Sequence, residues 1–277
     1  MRPLPIVVAL ILLVAGPAVR AWDGCESKAP RNLDLAASGV KTLIVRAKSG
    51  SLDIRGAQQE TIAVRGEACA SDAASLAAIK LVQTREGASL VLTVEIPEDS
   101  GSNWNNVQRA LDLDITVPAN LALQVQDSSG DTDIRGLASV IAQDSSGDLR
   151  IEAIAGNVVV NDSSGEIDVR EVGGDVRIPA DSSGDITARN VRGTVEIEQD
   201  SSGSITLADI GGDAVVGVDS SGDIEFERIA GSARVDRDSS GGIEADDIGR
   251  DFIVRTDGSG GVSHDRVRGR VEIPPQD

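Results

Sequence analysis

Residues 181–199 have the sequence DSSGDITARNVRGTVEIEQ, and its pattern specifies the fold. After the tetrad Asp-Ser-Ser-Gly, apolar and polar residues alternate in two short runs, 185–189 and 194–198. Alternation with a period of two is typical of β-strands that bury one face. Gly184 and Gly193 stand where the chain must turn. The stretch therefore predicts two strands joined by two turns.

The tetrad recurs along the C-terminal half of the chain, at spacings of 17, then 18, then 19 residues. The complete copies begin at Asp127, Asp144, Asp162, Asp181, Asp200, Asp219 and Asp238. A weakened copy, Asp-Gly-Ser-Gly, begins at Asp257. Self-similarity at a fixed period predicts an all-β solenoid, in which each repeat of about 19 residues is one coil stacked on the next.

Alignment of the repeats places aliphatic side chains at the same positions in every coil. The column of Ile186 contains Leu149, Ile167, Ile205, Ile224, Ile243 and Val262. The neighbouring column of Thr187 contains Arg150, Asp168, Thr206, Glu225 and Glu244. We therefore predict that the first column faces inward as a stacked ladder and that the second faces solvent.

The N-terminus has the features of a signal peptide. Arg2 precedes an apolar run over residues 6–15, which ends at Gly16 and Pro17 and is followed by a small-residue cleavage site at Ala21. The run is too short to span a bilayer, and no later stretch is apolar enough to do so. We expect residues 1–21 to be removed and the protein to be exported to the periplasm, the cell surface or the medium.

Export makes the two cysteines, Cys25 and Cys69, informative. In an oxidising compartment the simplest prediction is one disulfide between them. The chain has no CxxC motif and only one histidine, His264, so a zinc site is not expected. His264 occupies the column of Ala188, so we expect it to face inward or toward the C-terminal end.

Residues 22–120 lack complete repeats and are predicted to form a β-rich cap domain ahead of the solenoid at residues 121–277. A short helix from Asp72 to Ile79, capped by Ser71, is expected there. The predicted strands of the cap are Val40–Arg46, Leu52–Arg55, Thr61–Gly66, Leu81–Thr84, Leu90–Ile96 and Leu111–Val117. Because residues 49–56 resemble residues 129–136, this part is interpreted as a degenerate piece of the same solenoid.

The composition excludes several classes of function. The formal net charge is −19, and such a surface repels nucleic acid and anionic lipid. The chain has two Trp, two Phe and no Tyr, which argues against a sugar-processing groove, since such grooves usually stack their ligand on aromatic rings. We expect a monomer without a cofactor.

The combination of a secretion signal, an early cysteine, Ser-Gly-Asp-Ile units and Gly-Asp-Val second strands resembles a bacterial secreted β-strand-repeat family of unknown function, whose members are called putative adhesins. The resemblance covers most of the chain after the signal peptide. It implies a right-handed β-solenoid in the cell envelope or outside the cell. It brings no catalytic residues.

The tetrad aspartates are the main candidates for chemistry. If the coils stack in register, Asp127, Asp144, Asp162, Asp181, Asp200, Asp219 and Asp238 form a column with a step of about 4.8 Å. Calcium between successive turns would relieve the repulsion along such a column. We instead expect Asx-turns, in which the carboxylates accept turn amides and their pKa values are lowered.

The predicted function is that of a non-catalytic, adhesin-like or structural binding module for a component of the cell envelope or surface. A calcium-binding β-roll-like module is the alternative, and a solenoid enzyme acting on an envelope polysaccharide is a further one. Carboxylates and serines recur on every coil, so no pair is distinguished as catalytic. The polar loop that contains Trp104 is interpreted either as a contact site or as a cover for the core of the cap.

Overall fold

The computed structural model describes residues 25–97 and 108–275. The predicted signal peptide and the Trp104 loop lie outside these residues. The N-terminal part has eight strands and one helix: β1 Ser27–Pro30, β2 Leu33–Ala36, β3 Thr42–Arg46, β4 Leu52–Ala57, β5 Thr61–Ala70, α1 Ala73–Ala78, β6 Lys80–Glu86, β7 Ser89–Glu95 and β8 Arg109–Pro118.

The repeats contribute the remaining strands, two from each coil. They are β9 Ala122–Gln126, β10 Thr132–Arg135, β11 Ser139–Gln143, β12 Leu149–Ile154, β13 Val158–Asn161, β14 Ile167–Val172, β15 Val176–Ala180, β16 Ile186–Val191, β17 Val195–Asp200, β18 Ile205–Ile210, β19 Ala214–Asp219, β20 Ile224–Ile229, β21 Ala233–Asp238, β22 Ile243–Ile248, β23 Phe252–Val254, β24 Val262–Val267 and β25 Val271–Glu272.

These strands form two long sheets. The first has the order β1-β5-β8-β4-β10 and continues through the even-numbered strands to β24, with β2 also paired to β5. The second runs from β25 through the odd-numbered strands to β9, and then to β3, β7 and β6. Every pairing between repeats is parallel, for example β16 with β18 and β17 with β19. The predicted β-solenoid of 19-residue coils is therefore confirmed.

The core fills the space between the two sheets. Ile186, Ile205 and Ile224 pair in register along the first sheet and are fully buried, as the alignment predicted. Val195 and Ile197 of the second sheet are buried as well. Because each coil contributes one inward row from each sheet, the aliphatic ladders run through the stack as one continuous core.

One residue near the end of each even-numbered strand from β12 to β24 adopts a left-handed conformation. In β16 this residue is Asn190, with φ of 57°. It adds one residue to the alternation, so that Ala188 and Val191 both point inward although three positions separate them. The others are Ala153, Glu171, Asp209, Arg228, Asp247 and Arg266.

The glycine of the tetrad is required by the stacking of the turns. Gly184 has φ of +127°, and a Cβ atom placed there would lie 1.8 Å from the carbonyl oxygen of Gly165 in the preceding coil. Gly203 repeats this arrangement, at 1.8 Å from the oxygen of Gly184. Turns that approach this closely tolerate no side chain at this position.

The N-terminal part joins the same two sheets. The similar segments around residues 49–56 and 129–136 pair directly, with Ile54 opposite Ile134 in parallel β4 and β10. The predicted strands of the cap are present, with ends moved by a few residues, whereas the four-residue strands β1 and β2 were not predicted. Pairing is continuous across residue 120, and the division into two domains there stays a prediction.

The helix α1 corrects one expectation. Its N-cap is Asp72 rather than Ser71: Asp72 is extended, and its Oδ1 accepts a hydrogen bond of 2.8 Å from the amide of Ser75. At the other end the Arg31 guanidinium donates to the carbonyl oxygens of Leu76 and Ile79. Within the described ranges, no helix is long and apolar enough to cross a bilayer.

The two ends of the coil stack differ. At the N-terminal end the antiparallel strands β5 and β6 close the two sheets, and only the short β1 and β2 lie beyond β5. At the C-terminal end β24 is mostly exposed, and its Val262 is partly buried against the core. The four-residue strands β1 and β2 limit pairing with other chains at the N-terminal edge of the first sheet.

Candidate functional site

The seven tetrad aspartates lie at one corner of the coil, where the second sheet turns toward the first. Asp200, Asp219 and Asp238 pair in register in successive coils. We call the set the aspartate ladder: Asp127, Asp144, Asp162, Asp181, Asp200, Asp219 and Asp238. Their exposed fractions are 0–6%, so the carboxyl groups point into the molecule instead of lining a solvated edge.

Five of the seven ladder aspartates accept a hydrogen bond from a backbone amide of their own turn. The Oδ1 atom of Asp200 accepts a hydrogen bond of 2.7 Å from the amide of Ser201, and Asp127 does the same with Ser128 at 2.8 Å. Asp219 accepts instead from Ser221, two residues further on, at 3.3 Å. These are the expected Asx-type contacts.

The expected direction of the pKa shift is nevertheless wrong. Burial raises the pKa values of Asp127, Asp181, Asp200 and Asp219 to about 6, and the neighbouring carboxyl of the ladder adds to the effect in each case. The turn amides lower these pKa values by less than burial raises them. Two ionised carboxylates 4.8 Å apart at an effective dielectric constant of 20 repel by about 3.5 kcal/mol, more than a turn hydrogen bond contributes.

The remaining turn residues fasten one coil to the next. The hydroxyl of Ser202 donates to the carbonyl oxygen of Ser182 at 3.1 Å, and Ser221 donates to Ser201 at 3.2 Å. Asp185, which follows the tetrad, accepts from the amide of Ser204 in the next coil at 2.8 Å. Sequence reasoning missed these contacts between coils, although the recurrence of an acid after the tetrad glycine was a visible signal.

A second such row lies at the opposite turn. There Asp175 accepts from the amide of Thr194 at 2.9 Å, and Asp213 accepts from Ser232 at 2.8 Å. The turn carboxylates thus satisfy backbone amides that the parallel sheets leave unpaired. Since the same polar groups perform the same task in coil after coil, they are structural.

An acidic hollow of about 340 Å³ lies on the outer face of the first sheet. Asp168 is its most enclosed acid, with 3% exposed, because Arg170 and Arg150 lie over it at 2.7 Å and 3.5 Å. Asp168 belongs to the column of Thr187, which the sequence predicted to face solvent. Its position on the outer face agrees with that prediction, whereas its burial was not predicted. The other acids of the hollow are Asp53, Asp131, Asp133, Asp148 and Glu166.

The hollow and the ladder differ in electrostatics. In the hollow, arginines compensate several of the carboxylates, as in the pair of Arg135 with Asp53 at 3.3 Å. Burial and the neighbouring Asp133 and Asp114 raise the pKa of Asp53, while Arg135 lowers it. Among the residues that the structure describes, no three His, Cys, Asp or Glu side chains are grouped so as to hold a metal ion.

The outer face of the second sheet carries a contrasting surface. Over three consecutive coils it has no charged side chain, and Ile141 is 44% exposed. We call this surface the uncharged patch: Gln124, Gln126, Ile141, Gln143, Val159 and Asn161. Arg46, opposite Gln126, and Arg177, opposite Val159, mark its two ends. Sequence analysis did not identify this patch.

Amide groups supply the hydrogen-bonding capacity of the uncharged patch. The Nε2 of Gln126 donates to Oε1 of Gln143 at 3.2 Å. The amide side chains of the patch are exposed to solvent and lie next to Ile141 and Val159. The patch therefore offers apolar contact and both donors and acceptors to a ligand without requiring a charge to be desolvated.

The other predicted site residues occupy separate places. Cys25 and Cys69 are joined in a disulfide with a Cα–Cα distance of 5.6 Å, as expected. His264 pairs in register with Ala245 on the last strand of the first sheet, where it is exposed and lies 6.1 Å from the ring of Phe252. Trp104 lies outside the described residues.

Several crystal structures are similar to this chain. A putative lipid binding protein from Parabacteroides distasonis is 15% identical, covers 90% of this chain and 98% of its own, and has a TM-score of 0.40. A putative adhesin from the same species is 12% identical, and the match covers 90% of this chain and 98% of the adhesin, with a TM-score of 0.35. A putative cell adhesion protein from Clostridium sporogenes is 11% identical, and the match covers 89% of this chain and 100% of that protein, with a TM-score of 0.31.

No protein-family profile and no curated protein matches the chain. One of the three structures is called a putative adhesin, the name used for the family that the repeats resemble, and another is called a putative cell adhesion protein. At these identities and TM-scores, the function has to be argued from the residues of this chain.

Proposed function

We propose that the protein is a non-catalytic binding module of the cell envelope, and that the uncharged patch is its contact surface. The proposal is supported by the patch itself, where the outer face of the second sheet has no charged side chain over three coils in a chain of net charge −19. A partner that docks there gains apolar contact at Ile141 and Val159 and hydrogen bonds to amides. Nowhere in the patch does docking bury an ion.

The charged remainder of the outer faces is less suited to docking. Its side chains pair with each other, as Arg228 does with Asp209 at 2.6 Å and Arg255 with Asp236 at 3.1 Å. A partner would have to desolvate or break these pairs. The patch is also small compared with the 20–30 residues a side of a stable protein complex. We therefore propose an extended, uncharged segment of an envelope component as the ligand.

The non-catalytic part of the proposal rests on the tasks of the polar groups. The turn serines donate to carbonyl oxygens of the preceding coil, and the turn acids accept amides of the next coil. His264 lies on the last coil, beside Phe252. A serine or acid that already holds the stack together in every coil has no distinguishing environment of the kind that activates a nucleophile or a general acid.

The test is co-sedimentation of the protein, beginning at residue 22, with purified envelope fractions. A double variant, Ile141→Glu with Gln143→Glu, puts two charges into the patch and is expected to weaken retention at least about tenfold. The matched control, Thr187→Glu with Thr206→Glu, puts the same charges on the outer face of the first sheet and should bind like the wild type. Equal retention of both variants would contradict the assignment of the patch, and release of cleaved polymer would contradict the absence of catalysis.

A further inference from the structure

The aspartate ladder contains buried oxygen atoms that form no hydrogen bond. The Oδ2 atoms of Asp144, Asp200 and Asp219 have no partner, and the same holds for Oδ2 of Asp238. For Asp162 and Asp181, both carboxyl oxygens lack one. These side chains are at least 94% buried. A fully ionised ladder would therefore leave a row of negative oxygens without solvent and without donors.

No cation in the part of the chain that the structure describes compensates this row. Within residues 25–97 and 108–275, no Lys, Arg or His forms an ion pair with a ladder aspartate. The charged groups that act on the ladder from outside it are further carboxylates: Asp131 next to Asp144, and Asp223 and Asp257 next to Asp238. Asp127, at the first coil, has Thr132 as an additional partner at 3.4 Å.

A proton is the ligand that satisfies this arrangement. A protonated carboxyl group has one O–H donor, whereas an ionised one only accepts. Since neighbouring carboxyls are one strand spacing apart, a proton on one of them can form an O–H···O bond to the next. A ladder in which protonated and ionised groups alternate leaves no adjacent pair of charges.

We propose that the aspartate ladder is a proton-binding site in which carboxyl groups of successive coils share protons as O–H···O hydrogen bonds. The pKa values raised to about 6 by burial agree with this geometry. An aspartate in the unfolded chain titrates near 3.9. The folded protein therefore holds more protons than the unfolded chain above about pH 4. The contribution of the ladder to stability is fully present below that pH and is lost as the pH rises through about 6.

The primary measurement is the melting temperature of the protein, beginning at residue 22, between pH 5 and pH 8. We expect a fall of about 5 °C or more across this range. A triple variant, Asp181→Asn, Asp200→Asn and Asp219→Asn, keeps the shape and carries fixed N–H donors, so its melting temperature should change less with pH. The matched control, Glu86→Gln, Glu225→Gln and Glu244→Gln, removes three exposed charges and should keep the slope of the wild type.

A second measurement does not depend on whether the triple variant folds. Infrared spectra of the folded wild type should show protonated carboxyl groups at pH 6, which disappear by about pH 8. A spectrum with carboxylates alone at pH 6, or a wild-type melting temperature that rises from pH 5 to pH 8, would overturn the proposal. So would a rise at pH 8 with millimolar calcium that sodium chloride of equal ionic strength does not produce, since the ladder would then bind metal.

Discussion

At the scale of single residues, each member of the tetrad has a separate physical task. The aspartate supports its own turn from inside, the third residue donates its hydroxyl to the coil before, and the glycine admits the close approach of stacked backbones. Gly203 shows how strict the last requirement is, because its φ is +130° and its Cβ position is occupied by the oxygen of Gly184. The tetrad thus positions the turn of each coil against the turn of the coil before it.

A single substitution tests this task of the glycine. Gly203→Ala should destabilise the protein by about 3 kcal/mol, since it adds both a forbidden backbone conformation and a steric clash. Gly261→Ala is the matched control, because a Cβ atom there meets nothing within 4 Å, and its effect should stay below about 0.5 kcal/mol. The free energy of unfolding in urea gives both values. A tolerated Gly203→Ala would show that the turns do not stack as described.

Burial of the aspartate ladder is the residue-scale property that sequence did not predict. Asp before Ser-Ser-Gly indicated that the carboxylate accepts an amide of its own turn, which five of the seven do. The direction of the side chain, however, depends on the phase between strand and turn. In β17, Ile197 faces inward, two exposed or half-exposed residues follow, and Asp200 then points inward again. Regular alternation does not reveal this extra residue, so the burial of the ladder was not predicted, and the pKa shift was expected in the opposite direction.

At the scale of the strand, the alternation within the two runs of each repeat, such as 185–189 and 194–198, was predictable. The inward columns are buried as the alignment placed them, because a period of two leaves no choice of face once one residue is known. The strands β1 and β2 were not predictable, since four residues carry too little pattern. The uncharged patch was also missed, because it arises only when outward residues of neighbouring coils are compared across the sheet.

The strand β18 offers a test of its two faces. Ile205→Ala should cost about 2–4 kcal/mol, because it opens a cavity in the middle of the stacked core. Thr206→Ala changes the adjacent outward residue and should alter stability by less than about 0.5 kcal/mol. Chemical denaturation of the two variants decides the matter. Equal effects at both positions would show that the inward and outward columns are wrongly assigned.

At the scale of the whole molecule, the protein is a stack of interchangeable coils closed at its N-terminal end by antiparallel strands. In the two coils that contain a phenylalanine, a small inward side chain offsets the large one. The coil with Phe226 has Ala233 in its facing strand, and the coil with Phe252 has Ala245. Because a large side chain is offset by a small one within the same coil, each coil fits either neighbour.

If the coil of 19 residues is the structural unit of the stack, one whole coil can be deleted without loss of the fold. Removal of residues 200–218 joins Gln199 to Asp219 and restores every column, so circular dichroism should show one cooperative thermal transition with an unchanged β-sheet spectrum. Removal of only residues 200–209 takes out about half a coil, so each later strand would have to join the opposite sheet. This deletion should abolish the cooperative transition. If the deletion of residues 200–218 unfolds the protein as the shorter one does, the coil is not the unit of the fold.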